Sequence, residues 1–212
     1  MSESADRIGE TGKAQRTRAR LVAATGEEIA ESGSFTAERV AARAGMSVAT
    51  FYIHLPTKDA ALTAAFGEVM DELVAVVDAH LTAERLAARG LAGLAREFVA
   101  ACLAFFSERS LVFRLALARM PEHRPLRKVY RAHEAVASAR YARFIESGQA
   151  TGELRVADPE ILTRGLLVLS QGLNNPVALG LAEADPLREE LAGLVVALLA
   201  PRSDRAGPSA GG

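Results

Sequence analysis

The sequence has no tryptophan, a single cysteine and few aromatic rings. Aromatic residues make up 5% of the 212 residues, so a hydrophobic core must consist mainly of Ala, Leu and Val. A lone cysteine, Cys102, excludes an internal disulfide framework and a Cys-rich metal site. Half of the residues are hydrophobic, which is enough for a sizeable core, and Ala and Leu are strong helix formers. The composition therefore favours an all-helical protein.

The sequence also lacks a charge excess and long apolar runs. The formal net charge is −1, from 25 basic and 26 acidic residues, and this balance taken alone argues against nucleic-acid binding. Residues 1–11 are polar and contain no apolar core for a signal peptide. The longest apolar runs, 165–169 and 193–200, are much shorter than the ~20 residues that span a bilayer. We therefore expect a cytoplasmic protein with no membrane partner.

Helical periodicity recurs along the chain, and strand alternation does not. Capping and stop signals, such as Asp158 before Pro159, divide the chain into about nine predicted helices. Among them are a first helix near residues 16–31 and two successive helices over residues 91–106 and 110–119. The predicted organisation is a disordered tail, a three-helix domain, a larger helical domain and a second disordered tail, at residues 1–12, 13–58, 59–200 and 201–212.

The segment VAARAGMSVATFYIHLPTKDA, residues 40–60, predicts a helix-turn-helix. Gly45 follows the first short helix, where the chain needs a positive φ. Ser47 can cap the second helix, and Met46 and Phe51 are apolar anchors for the turn and the second helix. In this motif the second helix enters the DNA major groove.

The charge of this part of the chain differs from the average. Residues 13–58 carry seven basic and four acidic residues, a net charge of +3, so the rest of the chain is −4. Lys58 falls in the first turn of the next helix, where a cation opposes the helix dipole. That position suits a lysine that faces a phosphate together with the free N–H groups of the helix start. Arg39 and Arg43 are interpreted as solvated surface.

From Arg16 to Phe66 the sequence resembles the TetR/AcrR family of transcriptional regulators. The residues that carry the resemblance are Phe35, Thr36, Val40, Ala41, Ala44, Gly45, Met46, Ser47, Thr50, Phe51, Tyr52, His54, Pro56, Lys58 and Ala60. The resemblance implies an N-terminal domain that binds DNA and a helical C-terminal half that binds a small ligand and dimerises. The DNA contacts that it implies are Arg16, Arg18, Thr36, Ser47, Val48, Ala49, Thr50, Tyr52, His54 and Lys58.

Three positions depart from the family pattern. Family members often have a polar side chain at the position of Val48, but Val48 and Ala49 offer only methyl groups. Methyl groups can touch a thymine methyl but cannot form a bidentate hydrogen bond with a base. Glu38 stands where many members have Arg, and it would repel phosphate if it faced the groove. Specificity then comes either from Thr50, Tyr52 and the N-terminal arginines or from DNA shape.

The C-terminal half contains candidates for a ligand pocket, which needs bulky walls and a few polar groups. The aromatic stripes and His133 are more simply explained as core, and residues 174–176 as a helix break whose carbonyls are capped. The predicted pocket residues are Phe98, Cys102, Phe105, Phe106, Phe113, Leu117, Tyr130, His133, Phe144, Gln171 and Asn174.

The last two predicted helices, which begin near Pro159 and Leu187, are apolar around most of their circumference. Such a helix must be buried on more than one side. It is either a central core helix or a core helix that also packs against a second subunit. We expect a homodimer that forms through these two C-terminal helices.

The sequence thus predicts a ligand-responsive transcriptional regulator. We expect a homodimeric repressor that a small-molecule effector releases from a palindromic double-stranded DNA operator. An enzyme is not expected, because the sequence has no Gly-rich phosphate loop, zinc-ligand spacing or paired acid/base set. Catalytic residues, metal sites and cofactors are therefore not predicted. The alternative is a helical protein-interaction or ligand-binding module that has lost sequence-specific DNA binding, since Val48 and Ala49 are apolar.

Overall fold

The computed structural model describes the backbone of residues 2–202 and the side chains of residues 12–202. Within that part the chain forms nine α-helices and no β-strand, which confirms the all-α prediction. The helices are α1 (Ser2–Ser32), α2 (Ala37–Arg43), α3 (Val48–His54), α4 (Lys58–His80), α5 (Ala83–Arg119), α6 (Arg124–Ala150), α7 (Pro159–Gly172), α8 (Pro176–Leu179) and α9 (Leu187–Leu199). The predicted C-terminal tail lies, from residue 203 onward, outside the described residues.

The number of observed helices agrees with the prediction, but some of the predicted boundaries differ from those in the structure. The predicted tail over residues 1–12 is helical from Ser2, since a helix that has nucleated adds further residues at low cost. The predicted break between residues 106 and 110 is wrong, because no Gly or Pro interrupts α5 there. Instead α5 has its non-helical residue at Gly90, with φ of 66°. The short helix α8 restores the number to nine.

The local signals around α2 and α3 act as predicted. Thr36 Oγ1 accepts a hydrogen bond from the Arg39 amide, and Ser47 Oγ accepts one from the Thr50 amide. These caps satisfy amides that have no partner inside the helix. Between the two helices Gly45 adopts a φ of 66°, a left-handed conformation that glycine reaches without steric cost.

The break after α7 is also capped. The side-chain Nδ2 of Asn175 donates a hydrogen bond to the carbonyl of Gly172, the last residue of α7. The Asn175 side-chain oxygen accepts hydrogen bonds from the amides of Val177 and Ala178 at 3.0 Å each. Asn175 therefore ends one helix and begins the next, as the capped-break interpretation of residues 174–176 predicts.

The chain forms two compact units. The first comprises residues 1–74 and 105–134, and the second comprises residues 75–104 and 135–212. The long helices α4, α5 and α6 each contribute residues to both units. For this reason the units do not follow the predicted domain boundary after residue 58.

The first unit contains two apolar cores. In one, α1, α2 and α3 pack against each other and against the start of α4 through mostly small side chains: Leu21, Val22, Ala24, Ala37, Val40, Ala41, Ala44, Phe51, Leu55, Ala61 and Ala65. Small residues let the short helices approach closely. The other is a cluster of aromatic rings that meet edge to face, with centroids 5.3–6.1 Å apart: Phe66, Phe105, Phe106 and Phe113.

The core of the second unit combines aromatic packing with one buried polar pair. The rings of Phe98 and Tyr141 meet edge to face at 6.4 Å, and the Tyr141 hydroxyl donates to Ser170 Oγ at 3.0 Å. Burial raises the pKa of Tyr141, which keeps the phenol in its donating form. Helices α7 and α9 pack closely where Gly165 faces the Leu198 side chain. The closeness of this contact is evident from Gly165, since a Cβ atom added there would lie 3.0 Å from Leu198 Cδ1.

The length and apolar composition of helix α5 differ from the expectation that no segment could span a membrane. In the described part of the chain, α5 alone is long and apolar enough to do so by length and composition. Its apolar residues include Leu94, Phe98 and Cys102, which are buried in the second unit, and Phe106 and Phe113, which are buried in the first. Core packing thus accounts for the apolar composition of α5.

A buried carboxylate ties α1 to α2. The Glu28 side chain is 5% exposed, and its Oε1 accepts a hydrogen bond from Arg43 Nε at 2.7 Å. Arg39 Nη2 lies 2.5 Å from Glu28 Oε2 without hydrogen-bond alignment, so this contact is purely ionic. Arg43 also donates to Glu31, and that hydrogen bond holds the pKa of Glu31 below its usual value. A buried carboxylate is costly unless it is paired, so these arginines hold α2 against α1.

This arrangement predicts a large difference between two neighbouring glutamates. Glu28→Gln should lower the free energy of unfolding by about 2 kcal/mol, because it removes a buried charge from two arginine contacts. Glu27→Gln is the matched control, since Glu27 is 60% exposed and lies 3.5 Å from Arg43. It should leave stability almost unchanged. Urea denaturation measures both, and equal losses would show that Glu28 does not hold the two helices together.

Candidate nucleic-acid interface

One side of α3 is buried against α1 and α2. Phe51 is fully buried on that side, and Leu55 follows one turn later at 1% exposure. Val48 is partly buried and packs against the same core, as does Met46 from the turn. Val48 was a predicted DNA contact, but the structure places it beside the core.

The opposite side of α3 is open to solvent. An α-helix turns about 100° per residue, so Ala49 and Ile53 each lie roughly 160° around the axis from Phe51. Ala49 is exposed, Ile53 is 77% exposed, and Tyr52 beside them is 45% exposed. The Tyr52 ring meets Phe51 edge to face at 5.2 Å, which fixes its orientation. This open side, formed by Ala49, Tyr52 and Ile53, is called the α3 outer face below.

Sequence analysis missed Ile53. The available signal was its spacing, two residues after the buried Phe51 and four after Ala49. The sequence analysis gave Ile53 no role, although its register with Phe51 places it on the outside of α3.

Two of the predicted DNA contacts near the start of α3, the hydroxyls of Ser47 and Thr50, are within hydrogen-bond distance of each other. Ser47 Oγ caps the Thr50 amide at 3.1 Å and lies 2.9 Å from Thr50 Oγ1. His54 is half-buried in the last turn of α3. The side chains of Ser47, Thr50 and His54 are therefore more constrained by their neighbours than the exposed Tyr52 side chain is.

The start of α2 is acidic rather than basic. Hydrogen bonds from its own amide and from the Thr36 hydroxyl hold the pKa of Glu38 below its usual value. The charge of Lys58 lowers the Glu38 pKa further, so the two side chains are close enough to interact. Thr36 and Lys58, both predicted DNA contacts, thus share an ionised carboxylate as their neighbour.

Three of the seven cations in residues 13–58 are engaged within the fold. Arg39 and Arg43 hold Glu28, so their interpretation as merely solvated surface is wrong. Arg20 Nη2 donates to the Ala44 carbonyl at the end of α2, at 2.6 Å. The other four are exposed and form no ion pair with the described residues: Lys13, Arg16, Arg18 and Lys58.

Arg18 and His133 were predicted for different sites but line the same groove of the first unit. Its volume is about 480 Å³, and its other polar walls include Thr63 and His123. His123 Nε2 lies 3.1 Å from Thr63 Oγ1. His133 bonds with its ring nitrogens to the Val129 carbonyl and to Asp71, so it links α6 to α4.

The predicted pocket residues divide between the two units. In the first unit the rings of Phe105, Phe106 and Phe113 fill the aromatic core, while Leu117 is exposed and Tyr130 is half-buried. Burial and the nearby Glu134 raise the pKa of Tyr130.

In the second unit Phe98, Cys102 and Phe144 are buried, whereas Gln171 is exposed and Asn174 is half-buried. Burial raises the pKa of Cys102 to about 12, which makes the thiol unreactive. The cavity beside Phe98 has a volume of about 10 Å³. Drug-sized ligands need about 300 Å³ or more, so this space would have to open for an effector to enter.

The described residues contain no group of three His, Cys, Asp or Glu side chains that could hold a metal ion. The exposed polar side chains of α1, α3 and the start of α4 include Arg16, Tyr52 and Lys58.

Comparisons with known proteins show which fold this is. The sequence matches no protein-family profile and no curated protein. Its structure matches that of a Mesorhizobium loti protein assigned to the TetR family of transcriptional regulators, with a TM-score of 0.70, 18% identity, and coverage of 88% of this chain and 98% of that one. A TetR transcription regulator from Haloarcula marismortui matches with a TM-score of 0.68, 17% identity, and coverage of 87% and 96%.

A third similar structure is the SmeT–triclosan complex, with a TM-score of 0.62, 20% identity, and coverage of 89% of this chain and 93% of that one. The similarity therefore extends over most of both chains in each comparison. Together with the helix-turn-helix described above, it shows that this chain has the fold of the TetR-family transcriptional regulators.

Proposed function

We propose that this chain is a TetR/AcrR-family transcriptional regulator that binds double-stranded DNA in the cytoplasm and responds to a small molecule. One observation carries the proposal. Helix α3 is anchored by Phe51 in a small three-helix core and exposes its opposite side, as a helix that enters the major groove must. The family resemblance of residues 16–66 and the similar fold of known regulators support the same function.

In the proposed complex the α3 outer face lies in the major groove, and exposed cations contact the phosphates on either side. Phosphate contacts position a protein on the duplex, whereas base contacts provide specificity. Lys58, Arg16 and Arg18 are exposed side chains suited to the first role. The predicted contacts Thr36, Ser47, Thr50, Tyr52 and His54 remain proposed contacts, and Ile53 is added to them.

An apolar face on α7 and α9 supports a homodimer. Ile161 and Val168 of α7 are 61% and 67% exposed, and Leu194 of α9 is 51% exposed. They line an open groove of about 670 Å³ together with Leu198 and Arg164. Large apolar side chains on two packed helices are costly in water, and a second copy of the same face would cover them through a two-fold interface.

Dimerisation matters for the proposed mechanism. A dimer places two α3 helices on one face of a duplex, which matches a palindromic operator with half-sites one turn, about 34–36 Å, apart. A small molecule that binds the C-terminal part better in a conformation with a different spacing would release the DNA. SmeT, one of the structures with this fold, is in complex with triclosan. We propose the same general arrangement, a repressor with a small-molecule effector, for this chain.

Lys58→Ala should weaken binding to DNA at all sequences and lower the salt dependence of the affinity. Loss of one phosphate contact should reduce the slope of log K against log salt concentration by about 1. Arg89→Ala is the control, because Arg89 is a 62% exposed cation on α5 in the second unit, outside the helix-turn-helix. The measurement is fluorescence anisotropy with a duplex selected from a random-sequence library, between 50 mM and 200 mM salt.

If both variants keep the slope of the wild-type protein, Lys58 does not contact phosphate and α3 is not placed as proposed. If the wild-type protein shows no salt-dependent binding to any duplex, the protein-interaction or ligand-binding module is the better description.

Val168→Asp should convert the dimer to a monomer. A carboxylate at the centre of an apolar two-fold interface would meet its symmetry mate, and we expect dimerisation to weaken by about a hundredfold. Val156→Asp is the matched control, since Val156 is 90% exposed in the loop between α6 and α7, outside α7 and α9. Sedimentation velocity should give about twice the chain mass of 22.4 kDa for the wild-type protein and the control. A dimeric Val168→Asp variant would contradict the proposed interface.

A further inference from the structure

Apart from the Tyr52 phenol, the α3 outer face carries only aliphatic groups, where a base-contacting helix usually carries amides or guanidinium groups. The seven residues of α3, VATFYIH, include no Arg, Lys, Asn or Gln, the side chains that form bidentate hydrogen bonds with bases. Ile53, at 77% exposure, is the most exposed large apolar residue of the first unit's helix-turn-helix. Ala49 lies one helical turn before it on the same side.

The other groups of α3 are directed elsewhere. Val48 packs against the three-helix core, and Phe51 is fully buried in it. The Ser47 and Thr50 hydroxyls lie 2.9 Å from each other, and Ser47 Oγ also caps the helix. The exposed side chains of α3 are therefore Ala49, Tyr52 and Ile53.

We infer that α3 recognises thymine through the C5-methyl group, with Ile53 as the specificity-determining residue and Ala49 beside it. In the major groove the methyl group is the feature of thymine that an aliphatic side chain can contact. The inference rests on the proposed function and names the base chemistry that the same face selects. Exposure of Ile53 in the free protein then has a physical reason, because its apolar surface becomes buried against thymine methyl groups when DNA is bound.

Deoxyuridine provides a direct probe, because it differs from thymidine only by the missing methyl group. Duplexes are first selected from a random-sequence library with the full-length protein. Each thymine of the best duplex is then replaced singly by uracil, and the affinity is measured at fixed salt. Burial of one methyl group corresponds to about a fourfold change in affinity. We expect that loss at one or two thymines in each half-site, in symmetric positions, and no loss at the other thymines.

The protein side of the contact is tested with Ile53→Ala. Ile53 is outside the core, so this variant should keep the wild-type fold, which circular dichroism and urea denaturation verify. If Ile53 makes the contact, the variant binds the thymine duplex more weakly, and the loss caused by uracil falls from about fourfold to less than twofold. Val156→Ala is the matched control, an exposed β-branched residue outside α3 that should leave the uracil effect intact.

The outcomes separate this inference from the proposed function. Equal affinity for all uracil-substituted duplexes, with salt-dependent binding preserved, would overturn thymine-methyl recognition and leave DNA binding in place. A uracil effect that persists unchanged in Ile53→Ala would overturn the role of Ile53. Failure to select any duplex above random sequence would overturn the proposed function itself.

Discussion

The packing of Phe51 into the small core between α1, α2 and α3 determines what the rest of this interface can do. Phe51 is fully buried, and Leu55 one turn later extends the same contact. Because the helical repeat is fixed, these two residues determine which side chains point away from the core. Ala49 and Ile53 are outside for that reason alone. Local propensity matters less here, since α3 has only seven residues and depends on tertiary contacts for its stability.

Electrostatics in this unit serve two separate purposes. Arg39 and Arg43 are fixed on the buried Glu28 and hold α2 in place, so they add little positive field outside the protein. Lys58 and Arg16 are exposed and form no ion pair with the residues that the structure describes. The net charge of −1 for the chain therefore says nothing about binding, and even the +3 of residues 13–58 includes cations whose role is structural.

Sequence reasoning predicted the features that depend on neighbouring residues. The left-handed Gly45, the Ser47 cap and the Asn175 cap follow from local hydrogen bonding and backbone sterics, which a short stretch of sequence contains. The predicted break in α5 was wrong because a few polar residues on an exposed side do not end a helix that has a continuous buried side. Contacts between distant residues, such as Arg43 with Glu28, have no local signature.

The candidate site was predictable to the same extent. The helix and its family resemblance predicted Tyr52 and Lys58 as DNA contacts, but did not indicate which apolar residues of α3 face outward. Val48 and Ile53 are both β-branched residues that suit a core, and only the register set by Phe51 separates them. The predicted pocket residues of the C-terminal half remain a prediction. Aromatic side chains at helical spacing can line a cavity or fill a core, and the sequence does not separate these two roles.

In the proposed complex two copies of this chain bind one palindromic duplex, each through α3. A hydroxyl-radical footprint of the full-length protein on a duplex selected from a random-sequence library tests this arrangement directly. We expect two protected regions related by a dyad, with centres about ten base pairs, or a multiple of that, apart. A single asymmetric region, or no protection at protein concentrations that saturate the selected duplex, would contradict it.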